Sequence, residues 1–158
     1  MLTFKGRWEN SVDNKGRVPL PAKMRRQLMR DESDAFVITR GFERCLAIYP
    51  MERWRVMEQS LNRLNPFMPN ARRFIRSFIW DSDEVSMDSQ GRIILPRRLM
   101  EYAGITDKAT IVGTLDHIEI WSSDALMDYG ADESDETYAE LAANLMADLY
   151  RYDEAEAA

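Results

Sequence analysis

One segment of this chain occurs twice. SVDNKGRVPLP at residues 11–21 returns as SMDSQGRIILP at residues 86–96, with six of eleven positions identical at a constant offset of 75. The segments downstream return in the same order: AFVIT (35–39) answers ATIVG (109–113), and LAIY (46–49) answers IEIW (118–121). Such a repeat constrains the architecture before composition does, because whatever one copy folds into, the other folds into as well.

Each copy reads as one supersecondary unit. A short strand (8–12, or 84–87) runs into a turn ending in Gly16 or Gly91, and a second strand (17–20, or 92–95) leaves it as a hairpin. Glycine supplies the positive φ that such a turn needs. Pro21 or Pro96 then stands where a helix begins and a missing N–H costs nothing. The spacing predicts helices over 22–29, with Met24 and Leu28 inward, and over 97–103, with Leu99, Tyr102 and Ala103 inward and Gly104 as the stop. A second hairpin completes each unit: 36–40 with 45–49, and 110–113 with 118–121.

A unit of about 45 residues is near the lower limit for independent folding. Two of them are therefore expected to bury their apolar faces against each other about an approximate twofold, as one fused pseudo-dimeric domain. The organisation expected is a first repeat at 7–52, a helical connector at 53–80, a second repeat at 81–124 and an acidic helical tail at 125–158. Periodicity predicts helices over 51–65, over 71–79 with Asn70 as N-cap, and over 135–152, where Tyr138, Leu141, Leu145, Leu149 and Tyr152 recur at helical spacing.

Cys45 and His117 are single, which excludes an intrachain disulfide and a Cys/His zinc site within one chain. His117 lies in the apolar run HIEIW and reads as a strand residue rather than a catalytic base; Cys45 reads as a small buried hydrophobe. The acidic group Asp81, Asp83, Glu84 and Asp88 lacks the glycine and spacing of a calcium loop and reads as solvated charge or as pairing with basic neighbours. No nucleophile, proton shuttle or phosphate-cradling loop accompanies these residues, so the chain reads as a non-enzyme needing no cofactor and no metal. No apolar run reaches membrane-spanning length, and residues 1–7 have no signal-peptide core, so residence in the cytoplasm is expected.

Net charge is −6, but it is unevenly placed. Residues 1–76 carry 16 Lys and Arg against 8 Asp and Glu, whereas residues 77–158 carry 5 against 19. Lys15, Arg17, Lys23, Arg25, Arg26 and Arg30 fall close together, with Lys5 and Arg7 just before. In each turn an aspartate stands four residues before an arginine: Asp13 before Arg17 with Gly16 between, and Asp88 before Arg92 with Gly91 between. The carboxylate is placed to fix the direction of the guanidinium by a salt bridge. An arginine held on a ribbon suits guanine O6 and N7 in the major groove, with flanking lysines on phosphates. Gln90 replaces the lysine in the second copy. The expectation is therefore that Arg17 and Lys15 read double-stranded DNA, supported by Lys5, Arg7, Lys23, Arg25 and Arg26, while the second copy completes the fold.

The two signatures DNKGRVPLPAK (13–23) and DSQGRIILP (88–96), with GTLDHIEIW (113–121), resemble the MraZ family of transcriptional regulators across about residues 4–125. Either signature alone resembles only the broader AbrB-like swapped-hairpin class. The resemblance implies an α+β fold with a mainly β core, a double-split β-barrel made from two tandem repeats with peripheral helices. It implies a ring-like homo-oligomer, octamer-like, that binds short direct repeats upstream of a division and cell-wall operon. It further implies a cytoplasmic, nucleoid-associated repressor with no small-molecule substrate and no membrane contact. By position Arg17 is the principal DNA contact. Two stretches depart from the family pattern: Trp80 to Asp83 where small residues are usual, and the long acidic tail. An antitoxin-like autoregulator that binds a partner protein, and an oligomeric scaffold without DNA, are the alternatives.

Overall fold

The computed structural model describes residues 3–29, 35–132 and 137–157. The first repeat gives β1 (Arg7–Ser11), β2 (Arg17–Pro19), α1 (Ala22–Leu28), β3 (Ala35–Arg40) and β4 (Leu46–Pro50). The connector forms α2 (Met51–Asn62) and α3 (Pro69–Trp80). The second repeat gives β5 (Asp83–Ser86), β6 (Arg92–Ile94), α4 (Arg97–Ala103), β7 (Lys108–Gly113) and β8 (Ile118–Ser122). Two more helices complete the order, α5 (Ser123–Asp132) and α6 (Tyr138–Ala157).

The fold class is the one expected, α+β with a mainly β core built from two repeats. Its hydrogen bonding forms a six-stranded antiparallel sheet, β1-β7-β8-β4-β3-β5, and a separate two-stranded ribbon, β2-β6. The order is a palindrome of the repeats. β3 and β4 pair as a hairpin, and so do β7 and β8, as their sequences predict.

The first strands behave otherwise. The predicted pairing of β1 with β2, and of β5 with β6, does not occur. β1 instead adds to the second repeat's hairpin, with Trp8 opposite Ile111, and β5 adds to the first repeat's hairpin, with Val85 opposite Phe36. β2 pairs with β6, with Val18 opposite Ile93. Each repeat therefore lends its leading strand to the other. A β1–β2 hairpin would satisfy the backbone locally but leave the edges of β7 and β3 open; the exchange covers both.

The core explains why the exchange holds. Val18 and Ile93 on the ribbon's inner face are fully buried, with Leu20, Leu95, Met24 and Leu99 close to it. These pack with Ile38, Leu46, Ile48, Ile111, Ile118 and Ile120 from one face of the sheet. Equivalent residues of both repeats thus fill one cavity, and neither copy could close it alone. β3 and β4 are buried along their length because a second cluster covers their other face: Val37, Ala47 and Tyr49 meet Trp54 of α2 and Phe78 of α3.

Local signals decide the helix ends. Gly104 closes α4 in the left-handed conformation at φ 68°, as the sequence predicts. Asn70 does not cap α3. The helix starts two residues earlier than expected with Pro69 at its first position, and Met68 stands at the N-cap without a side-chain bond. α2 stops at Asn62 rather than at 65. Asp81, in the stretch that departs from the family pattern, is nearly fully buried and paired with Arg40 at 2.6 Å.

Chain contacts divide the protein into residues 1–126 and 127–158. In the second unit, Thr137 and Glu140 form a reciprocal capping box at the start of α6: the Glu140 N–H donates to Thr137 Oγ1 at 3.2 Å, and the Thr137 N–H donates to Glu140 Oε2 at 3.3 Å. The expected start of this helix at Asp135, and the side chain of Tyr152, lie outside the described residues. No helix among the described residues is long and apolar enough to cross a membrane.

Candidate nucleic-acid interface

Two identical backbone cages carry the site. At the first turn, Asp13 Oδ1 accepts the Lys15 N–H at 3.0 Å and the Arg17 N–H at 2.8 Å. Its Oδ2 accepts Arg17 Nε–H at 2.6 Å. The Asp13 N–H donates to the Arg17 carbonyl, and the Gly16 N–H to the Asp13 carbonyl, both at 3.0 Å. One carboxylate thus closes the turn and orients the guanidinium. These donors explain why its pKa lies below the usual carboxylate value, the Arg17 backbone N–H foremost, while desolvation works the other way. The salt bridge expected from the four-residue spacing is present; it closes a turn rather than linking paired strands.

The second turn repeats the cage. Asp88 accepts the Gln90 N–H, the Arg92 N–H and Arg92 Nε–H, each at 2.9 Å. Its pKa is lowered in the same way, chiefly by the Arg92 backbone N–H.

Antiparallel pairing sets the two arginines on one surface. Arg17 lies opposite Ile94 and Pro19 opposite Arg92, with Val18 and Ile93 turned into the core between them. Arg17, Pro19, Arg92 and Ile94 therefore share the outward face of the ribbon, with Arg17 and Arg92 as diagonal neighbours. Both arginine side chains are partly exposed. Among the described residues, the terminal nitrogens of Arg17 make no hydrogen bond, so that end of the fork is left for a ligand.

The other predicted basic residues do not gather at this turn. Lys5 and Lys23 share a different cleft with Thr3 and Gln27. Arg7 is exposed on β1, and Arg26 is exposed on α1. Arg25 lies against the second turn: its Nη1 donates to the Leu20 carbonyl at 3.1 Å, and a Cβ placed on Gly91 would fall 2.6 Å from its side chain. Arg30 lies outside the described residues. The reason is the strand exchange, through which the Gly91 carbonyl accepts the Leu20 N–H and the Gly16 carbonyl accepts the Leu95 N–H. Each turn sits beside the other repeat's helix. Arg97, which sequence reasoning missed, therefore lines a cleft together with Lys15. A signal for it exists: the repeat alignment sets Arg97 and Arg98 opposite Ala22 and Lys23.

The remaining titratable groups lie elsewhere. His117 sits just before β8 rather than within it, stacked on Tyr49 at 5.1 Å. Burial disfavours its charged form, but Glu119 and Asp116 outweigh this and raise its pKa. Asp116 is 2.7 Å from its Nδ1, and Glu119 is 3.8 Å from its Nε2. Glu119 also accepts the Cys45 thiol at 3.7 Å. Glu43, Cys45 and Glu119 bring one potential ligand atom each within 4.8 Å of one another. Burial holds that thiol protonated, its pKa pushed well up with the Glu119 and Glu43 charges adding to the effect.

Two fused copies that exchange strands around a ribbon of paired Asp–Arg turns define an internally repeated, strand-exchanged class of protein with both halves in one chain. The comparisons with known proteins narrow this further. The family model described as "MraZ protein, putative antitoxin-like" matches residues 3–77 and again residues 78–148. A protein of Halothermothrix orenii named transcriptional regulator MraZ is 41% identical over 146 residues, 92% of this chain and 98% of that protein. Proteins of the same name from Clostridium tetani and Desulfitobacterium hafniense are 39% and 37% identical over 80% and 90% of this chain, covering 86% and 96% of their own lengths. The chain belongs to the MraZ family of transcriptional regulators.

Proposed function

We propose that this protein regulates transcription by binding double-stranded DNA in a sequence-specific way, and that it represses the division and cell-wall operon that contains its own gene. The observation that carries the reading is the Asp13–Arg17 lock on a partly exposed turn. A guanidinium whose Nε is engaged by a carboxylate presents its two terminal nitrogens in a fixed direction, the arrangement that pairs with guanine O6 and N7. Lys15 beside it supplies charge for a phosphate.

One such turn binds weakly, because non-specific electrostatic binding alone gives dissociation constants of about 10⁻⁴ to 10⁻⁶ M. A ring of copies repeats the turn at fixed spacing. Direct repeats placed about one helical turn apart, ~10 bp, then engage several turns together, and avidity supplies the affinity. A ring seated at a promoter obstructs polymerase.

Footprinting of the DNA immediately upstream of the gene tests the proposal. Protection of short direct repeats by the wild type, lost with Arg17→Ala, is the expected result. Uniform or absent protection at moderate salt rejects it.

A further inference from the structure

The strand exchange builds a cleft that neither repeat contains alone. It has a volume of about 630 Å³ and lies between the first turn, with Asn14, Lys15 and Gly16, and the second repeat's helix α4, with Arg97, Met100 and Glu101. The Leu95 N–H bond to the Gly16 carbonyl, 2.8 Å, fixes the distance between its walls. We propose that this cleft seats a backbone phosphate of the bound DNA, with Lys15 and Arg97 as its two cations. The proposal rests on the DNA-binding reading above and extends it to a residue of the repeat that was expected only to complete the fold.

Three observations support the assignment. Arg97 is exposed, whereas its neighbour Arg98 has its charge engaged elsewhere, 5.7 Å over the Trp80 ring and 3.8 Å from Asp81 Oδ1. Asp13, also on the cleft wall, is bound to Arg17 and the turn amides. The matching cleft at the second turn lacks the pair: Gln90 replaces Lys15, and Arg25 donates to the Leu20 carbonyl while covering Gly91. Glu101, one turn along α4 from Arg97, is the opposing charge, and a phosphate entering the cleft meets it unfavourably.

Fluorescence anisotropy with duplex DNA from upstream of the gene, run across a salt series, tests this with Arg97→Ala, Arg97→Lys, Arg98→Ala and Glu101→Gln in the full-length protein. Arg97→Ala should weaken binding to operator and scrambled duplex alike and reduce the slope of log K against log salt by about 1, the signature of one lost phosphate contact. Arg97→Lys should keep the slope, Arg98→Ala should keep it too, and Glu101→Gln should tighten binding. Circular dichroism confirms folding, and Arg97→Gln replaces Arg97→Ala if that variant misfolds. An unchanged slope in Arg97→Ala, or an equal loss in Arg98→Ala, overturns the cleft. If Arg17→Ala abolishes operator binding while Arg97→Ala matches wild type, the cleft alone fails. If the wild type shows no salt-dependent binding, the DNA reading fails with it.

Discussion

The two turns differ little in themselves and much in what surrounds them. Asp13 and Asp88 make the same set of bonds to backbone and arginine, so either turn read alone suggests the same role. Gly16 packs against the Leu95 carbonyl and Met100 Sδ, while Gly91 lies beneath the Arg25 side chain. The basic residues that come after the first turn in sequence thus serve, in part, the second turn in space. In a strand-exchanged pair of repeats, the environment of a motif is encoded in the other copy.

Substitutions can break this comparison or sharpen it. The largest effect is expected at the arginines: Arg17→Ala should cost at least about 100-fold in operator affinity, and Arg92→Ala less than about tenfold, because the proposed ring would multiply the loss of a base contact. Equal losses in an equilibrium titration would mean that both diagonal neighbours on the ribbon read DNA. Asp13→Asn comes next. It keeps an acceptor for the turn amides but loses the charge on Nε, and should weaken binding about tenfold, the size of one charge-assisted hydrogen bond. Asp88→Asn should leave affinity near wild type. Since Asp13 titrates below its unfolded value, its contribution is present above that value and is lost as pH falls through the folded one; binding measured down to pH 5 should not respond to this group.

The glycines should separate the turns by stability. Both have positive φ, 80° at Gly16 and 74° at Gly91, so alanine costs about 1–2 kcal/mol at either. Gly16→Ala should cost more, because its Cβ would stand 3.0 Å from the Leu95 carbonyl oxygen, which is backbone, whereas at Gly91 the obstacle is the flexible end of Arg25. Chemical denaturation of both variants measures the difference. The smallest effect belongs to His117. Its raised pKa means that its imidazolium stabilises the fold fully below about pH 6.5, the unfolded value, and that this is lost as pH rises through the folded one. His117→Gln should therefore destabilise at pH 5.5 and have little effect at pH 8.5; a pH-independent loss would show that stacking on Tyr49 dominates.

What could be read in the sequence was local. The Asp–Arg locks join residues four apart, the β3–β4 and β7–β8 hairpins join neighbouring strands, and Gly104 ends α4 by its own conformational freedom. The pairing of β1 with β7 was out of reach of such reasoning, since it joins Arg7 to Val112 and nothing near either residue announces the other. Assigning Arg25 to the first turn rested on the assumption that neighbours in sequence are neighbours in space. For Asp81, pairing with a basic residue could be read but its partner and burial could not, because Arg40 is supplied by a distant strand. At Asn70 two helix-start signals competed, and the proline one residue earlier prevailed.

The exchanged strands also bear on synthesis. Arg7–Ser11 leaves the ribosome about a hundred residues ahead of its partners at 108–112, while the first hairpin's outer edge waits for 83–86 and β2 waits for 92–94. Long-range pairings of this sort slow folding and invite capture by other unfinished chains. A fragment stopped after the first repeat, offering β1 without a host and β3 without a guest, should recruit another such fragment and rebuild between two molecules what the intact polypeptide makes within one.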